Sequence, residues 1–297
     1  MVKGSIDIDG NISISKIADQ IAKAKDESCI YKFLSQSLWD DKLLNRNSIN
    51  FLEHHLEYNT HPGQVGFLVI DDTVNIKNIE TRVMKGLDFH YSHSQGKTCW
   101  SHCIVTSNFV TGDYSVPLHF KPYYRQEKCE ELEVEFRSKV EIAKEFVKSF
   151  NPTTNLKQLY LLTDSWYTGT PLIEEALSKG YHLIGGIKPN RTISPCSINP
   201  RISQFIPHIE PSEFDIVTIK GKEYRIYRYE GKVDSFDNAI LLISYDVTKD
   251  GFKIPISIIC NDIDLDTETS LSYYSNWWTI KTNYHISKKT WDSINTD

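Results

Sequence analysis

The stretch Val65–Thr73, VGFLVIDDT, constrains this chain more than any other. Apolar residues from Phe67 to Ile70 stop abruptly at two carboxylates, Asp71 and Asp72. A short apolar run without helical spacing reads as a strand buried on both faces. Leu159–Trp166, LYLLTDSW, repeats the pattern and ends in Asp164. Side chains at the end of a central strand emerge beside loops, where sites form, and a pair of carboxylates there points to oxygen ligands for a hard metal ion. Asp is also a common helix N-cap and turn residue, so each position is open to that plainer role.

A chain of 297 residues predicts about two domains with ample core. No apolar run approaches the roughly 20 residues of a membrane helix. The opening MVKGSIDIDGNISISK lacks the apolar core of a signal peptide, so a cytoplasmic protein with no membrane partner is expected. Six scattered cysteines show no disulfide-framework spacing and read as reduced thiols. A net charge of −6 weighs against a phosphate-rich partner, yet Lys281, Lys288 and Lys289 make the end of the chain basic. The sign of the total does not decide the partner.

In chain order, residues 1–60 read as a helical region, with apolar positions such as Ile17, Ile21, Phe33, Leu34, Phe51 and Leu52. Strands are expected at the VGFLVIDDT run, at Cys99–Asn108 and at Tyr114–Lys121, forming an antiparallel meander, with a loop from Thr73 to Lys97. Glu127–Phe150 reads as the clearest helix, stopped by Asn151-Pro152. The strand carrying Asp164 follows, then a helix from about Pro171 to Lys179 and a strand at Tyr181–Ile187. That order matches a ribonuclease-H-like fold, one of several α/β options on pattern alone. Residues 190–265 break the rhythm and read as a β-rich insertion, and a helix resumes near Thr267.

IDDT at 70–73, TDSWY at 163–167, the β-rich segment and YSNWWTIKTNYHISK at 274–288 occur in the order seen in one group of proteins. On those pieces the chain resembles the DDE transposases of bacterial insertion sequences, the cut-and-paste group with a Y-x2-R-x3-E-x6-K signature. The resemblance implies an α/β, ribonuclease-H-like core at 61–189, completed by the C-terminal helix at 266–297. It also implies a β-rich insertion at 190–265 and an N-terminal helical region at 1–60. Three carboxylates would hold Mg2+ or Mn2+ for DNA strand cleavage and transfer. Asp72 and Asp164 take the first two places as catalytic and metal-binding residues, with Asp72 preferred to Asp71 because it directly precedes the threonine. Tyr274 and Lys288 match DNA-binding positions. The implied partners are DNA, both element ends and target, and a second copy of the chain, with the protein on the nucleoid when bound.

The third carboxylate is missing from that pattern. Aligned on Tyr274, the signature arginine falls on Trp277 and the catalytic glutamate on Lys281. An ammonium there removes a ligand and sets a positive charge against metal cations, which repel it. The chain also stops nine residues after Lys288, where family members continue. A truncated, degenerate transposase with lost or severely impaired catalysis and weakened metal binding is therefore expected. The alternative is a non-catalytic DNA- or partner-binding remnant. His90, His93, Cys99, His102 and Cys103 lack the spacing of a zinc site. No nucleophile elbow supports a serine or cysteine hydrolase.

Overall fold

In a computed structural model of the protein the run from Val65 is a strand, β1 (Val65–Ile76), buried from Gly66 to Asp71. The structure describes residues 15, 18, 27–38, 40, 43, 46–52, 54, 61–81, 84–152, 156–247 and 255–281. The chain divides into two compact units, Leu52–Ile280 and Met1–Phe51 with Lys281–Asp297. In the second of these, α1 (Glu27–Gln36) is a helix and 46–51 are helical as well. Much of the expected helical region at 1–60 lies outside the described residues.

In the larger unit a 10-stranded sheet incorporates β1. Its other strands are β2 (Asp88–Ser92), β3 (Lys97–Thr111), β4 (Tyr114–Tyr123), β5 (Gln158–Thr163), β6 (His182–Gly186), β7 (Asp215–Ile219), β8 (Lys222–Val233), β9 (Phe236–Asp246) and β10 (Ile256–Cys260). The order is β2-β3-β1-β5-β6-β10-β9-β8-β7, with β4 also beside β3. β3 runs antiparallel to β1, β2 and β4, whereas β5 lies parallel to β1 and β6 parallel to β5. From β6 outward every pairing is antiparallel. The strands read from the sequence between 190 and 265 thus extend the central sheet.

Parallel neighbours need crossovers, and helices supply them. α2 (Gln126–Leu132) and α3 (Lys139–Ser149) link β4 to β5, and α4 (Thr170–Ser178) links β5 to β6. Ile142, Ala143, Phe146 and Val147 of α3, with Leu172, Ile173 and Ala176 of α4, bury against Leu68, Ile70, Leu159 and Leu161 of the sheet. After β6 the chain makes short helical turns, among them α5 (Ile202–Phe205), before β7. Helix α6 (Thr267–Ser275) sets Tyr273 against Phe67 and Tyr160, with ring centroids 5.1 and 5.2 Å apart.

Three expectations need correction. The helix expected over 127–150 is two helices. Glu133 ends α2 in the left-handed region at φ 55°, and Ser138 with Glu141 forms a capping box that starts α3 afresh. The loop expected from Thr73 to Lys97 contains the rest of β1 and the whole of β2. The C-terminal helix is not continuous either. It breaks at a turn over 276–277, where Trp277 N bonds Tyr274 O at 2.9 Å, and 278–281 are helical again. No helix among the described residues is long and apolar enough to cross a membrane.

Candidate active site

The carboxylates sit where β5 ends against β1, which itself runs on to Ile76 beside β3. Val69 pairs with Leu162 and Ile70 with Thr163, and one step further come Asp71 and Asp164. Strand side chains alternate between faces, so Asp71 and Asp72 diverge. Asp72 follows Leu68 and Ile70 toward α3, and Asp71 follows Phe67 and Val69 toward α6.

Asp72 is held in a dense polar cluster. Its Oδ1 accepts the Tyr167 hydroxyl at 2.9 Å, and its Oδ2 accepts Lys139 Nζ at 2.8 Å and the Cys103 thiol at 3.6 Å. The Lys139 and Asp72 side chains are only 22% and 20% exposed. Burial works against the Lys139 ammonium, but the sulfur of Cys103 and the carboxylate of Asp72 offset it and leave its pKa above the ordinary lysine value. Lys139 is therefore a fixed cation. Burial above all, with Asp72 adding to it, pushes Cys103 up to about 12, so it stays a protonated thiol and no nucleophile. The same two causes hold the fully buried Tyr167 well above the usual phenol range. Sequence reasoning missed Lys139. Its one signal was the Ser138-x-x-Glu141 box, which fixes where α3 begins.

Asp164 has the turn-residue role foreseen for it. Its Oδ1 accepts the backbone N–H groups of Trp166 and Tyr167 at 2.9 and 3.2 Å, and its carbonyl accepts Thr168 N and Oγ1 at 3.1 and 2.8 Å. The turn so made needs two small neighbours. A Cβ on Gly185 would lie 2.4 Å from Thr168 Oγ1, and one on Gly186 would lie 2.9 Å from Ser165 N and 3.1 Å from the Tyr274 hydroxyl. Tyr274 thereby reaches the carboxylates from α6. Burial first, then the charges of Asp164 and Asp71, raise its pKa, and the Gly186 backbone acts in the opposite direction. Trp277 lies stacked with Tyr274 at an interplanar angle of 3°.

The structure thus brings Asp164, Asp71 and Tyr274 together on one side, while Asp72 engages Lys139 and Tyr167 on the other. Lys281 belongs to the other compact unit, and Lys288 lies outside the described residues.

Further strands bring more groups to this end of the sheet. Ile258 pairs with Gly186, Ile256 with Ser244, Asp246 with Tyr224 and Lys222 with Ile219. Lys188 follows β6 and places its ammonium 4.7 Å from the Trp166 ring centroid. Between these strands and α6 lies a cavity of about 550 Å³, with Lys220, Lys222, Tyr224, Asp246, Tyr274 and Trp278 in its wall.

Carboxylate oxygens suit a hard divalent cation, and Mg2+ commonly takes one or two carboxylates with water and substrate phosphate completing its shell. Asp71 and Asp164 fit such an ion in kind. Among the described residues no group of three or more His, Cys, Asp or Glu side chains forms a fuller cage.

Comparison with curated proteins gave no match. The family model described as DDE superfamily endonuclease matches residues 6–204. That span contains Asp71, Asp72, Lys139 and Asp164 and stops before β7 and α6. The chain belongs to the DDE superfamily endonucleases.

Proposed function

We propose that the chain is a transposase-type DNA endonuclease of the insertion-sequence cut-and-paste group, with impaired catalysis. The observation that carries this reading is the parallel pairing of β1 with β5, which brings Asp164, just past the end of β5, level with Asp71 of β1 within a DDE endonuclease. A ribonuclease-H-like core at 61–189 is supported by the strand run β4-β3-β1-β5-β6, with α6 packed on its sheet. β3 runs antiparallel to both β4 and β1, and β5 and β6 run parallel to β1. In this reading 190–265 is the β-rich insertion and 1–60 the N-terminal helical region.

A phosphodiester is anionic and would be repelled by bare carboxylates, so the site needs a cation between them. Asp164, with Asp72 or its neighbour Asp71, is the proposed holder of Mg2+ or Mn2+, which when bound neutralises charge gathering on the phosphate. Tyr274 sits beside these acids, and with Lys288 it is the proposed contact to DNA. Element ends and target DNA are the substrates, and a second copy of the chain is the expected partner. In the signature aligned on Tyr274, Lys281 takes the place of the third carboxylate, so the proposed centre lacks that ligand.

Metal-dependent nicking of supercoiled DNA tests the reading. The chain itself should nick slowly, Lys281→Glu faster, and Lys281→Glu with Asp164→Ala not at all. Robust nicking by the unaltered chain would sink the claim of impairment. A second reading, a DNA-binding chain without catalysis, is favoured by the Lys139–Asp72 pair, because an internal ammonium already balances that carboxylate.

A further inference from the structure

We propose that Trp166 and Lys188 form a platform for an unpaired DNA nucleotide beside Asp164. The inference rests on the endonuclease reading above and assigns the part of the substrate that this surface takes. Trp166 is 59% exposed, although large aromatic side chains usually bury most of their surface. Its position is fixed all the same. Its backbone N–H is bound by Asp164 Oδ1 at 2.9 Å, and the Lys188 ammonium lies over its ring at 4.7 Å. Asp164 itself is tied by its carbonyl to Thr168, so the turn offers the indole from a rigid mount.

An exposed indole with a cation on its ring matches what a single strand presents. A base stacks on the aromatic surface, and the adjoining phosphate meets the ammonium. A paired base in a duplex keeps its faces against its neighbours and cannot use the indole in this way. Trp166 belongs to the same turn as Asp164, its N–H held by that carboxylate, so the indole stands close to where a phosphodiester would meet Asp164. The platform therefore favours DNA that is frayed, tailed or unstacked next to the reacting phosphate.

The test is equilibrium binding of the full chain to a fluorescent blunt duplex and to the same duplex with a single-stranded tail. The unaltered chain should prefer the tailed duplex about tenfold, within the range expected for a stacked base. Trp166→Ala should abolish most of that preference, and Trp166→Phe should keep most of it. Lys188→Met should weaken both complexes and lower the salt slope by about one. Unchanged melting temperatures would show that the variants fold.

Equal binding of the two duplexes by the unaltered chain overturns the proposal, as does an undiminished preference in Trp166→Ala. Altered self-association with unchanged DNA binding overturns it in favour of a protein contact. Failure of the unaltered chain to bind either duplex overturns the DNA reading itself, so the two failures are told apart.

Discussion

At the scale of single residues, the contrast between Asp71 and Asp72 organises the site. Both stand at the end of one apolar run, and sequence alone offered only the following threonine as a reason to choose Asp72. The register with β5 adds what the sequence could not, because facing direction depends on which residue pairs with Ile70. Asp164 was legible as a strand-end acid, but its turn-holding Oδ1 bonds were only one of two readings. Replacing Lys139 by Met leaves Asp72 part-buried without its cation and should cost about 2 kcal/mol in urea unfolding. Added Mn2+ should recover more stability in that variant than in the unaltered chain. An equal effect of Mn2+ on both would show that the carboxylate does not exchange one cation for another. Gly186→Ala should cost roughly 1–3 kcal/mol, because its Cβ meets the backbone of Ser165 as well as Tyr274. A neutral result in the same assay would mean that the turn at Asp164 yields easily.

At the scale of elements, α3 does the most to place chemistry. Its capping box fixes the first turn, and Lys139 is the first helical residue after Ser138. Ser138→Ala should lower stability by about 1 kcal/mol, measured by urea unfolding. The apolar stripe of α3 was plain in the sequence, yet its start was not, because Val134 and Phe136 imitate a continuing stripe while remaining exposed. β2 went unseen because DFHYS alternates over only five residues. On the other flank, His119 of β4 is buried, bonded through Nδ1 to Ser107 Oγ at 2.7 Å and stacked on Phe146 of α3. Burial lowers its pKa from 6.5 to about 4. The unfolded chain then binds a proton that the folded chain refuses. Stability from this group is complete above about pH 6.5 and falls as the pH drops toward about 4, by at most about 3 kcal/mol. Urea unfolding of His119→Gln at several pH values should show a flatter acid limb than the unaltered chain. Parallel curves would contradict the assignment.

At the scale of the whole molecule, the chain is a DDE superfamily endonuclease whose Asp71, Asp72 and Asp164 lie at one end of the β5 and β6 strands of a ten-stranded sheet. The sequence made the core strands and their order legible, because each is a short apolar run bounded by turn residues. It did not reveal that the later strands join the same sheet, since antiparallel pairing of β10 with β6 depends on contacts between residues some 70 positions apart. The central proposal is a metal centre of Asp164 with Asp71 or Asp72 beside the end of β5, with Lys281 in the sequence place of its third carboxylate. Calorimetric titration of Mn2+ into the unaltered chain, Lys281→Glu, and Lys281→Glu with Asp164→Ala tests it most directly. The account predicts weak binding by the unaltered chain, at least about tenfold tighter binding by Lys281→Glu, and loss of that gain when Asp164 is removed. Tight binding by the unaltered chain, or tight binding that survives the loss of Asp164, would contradict it.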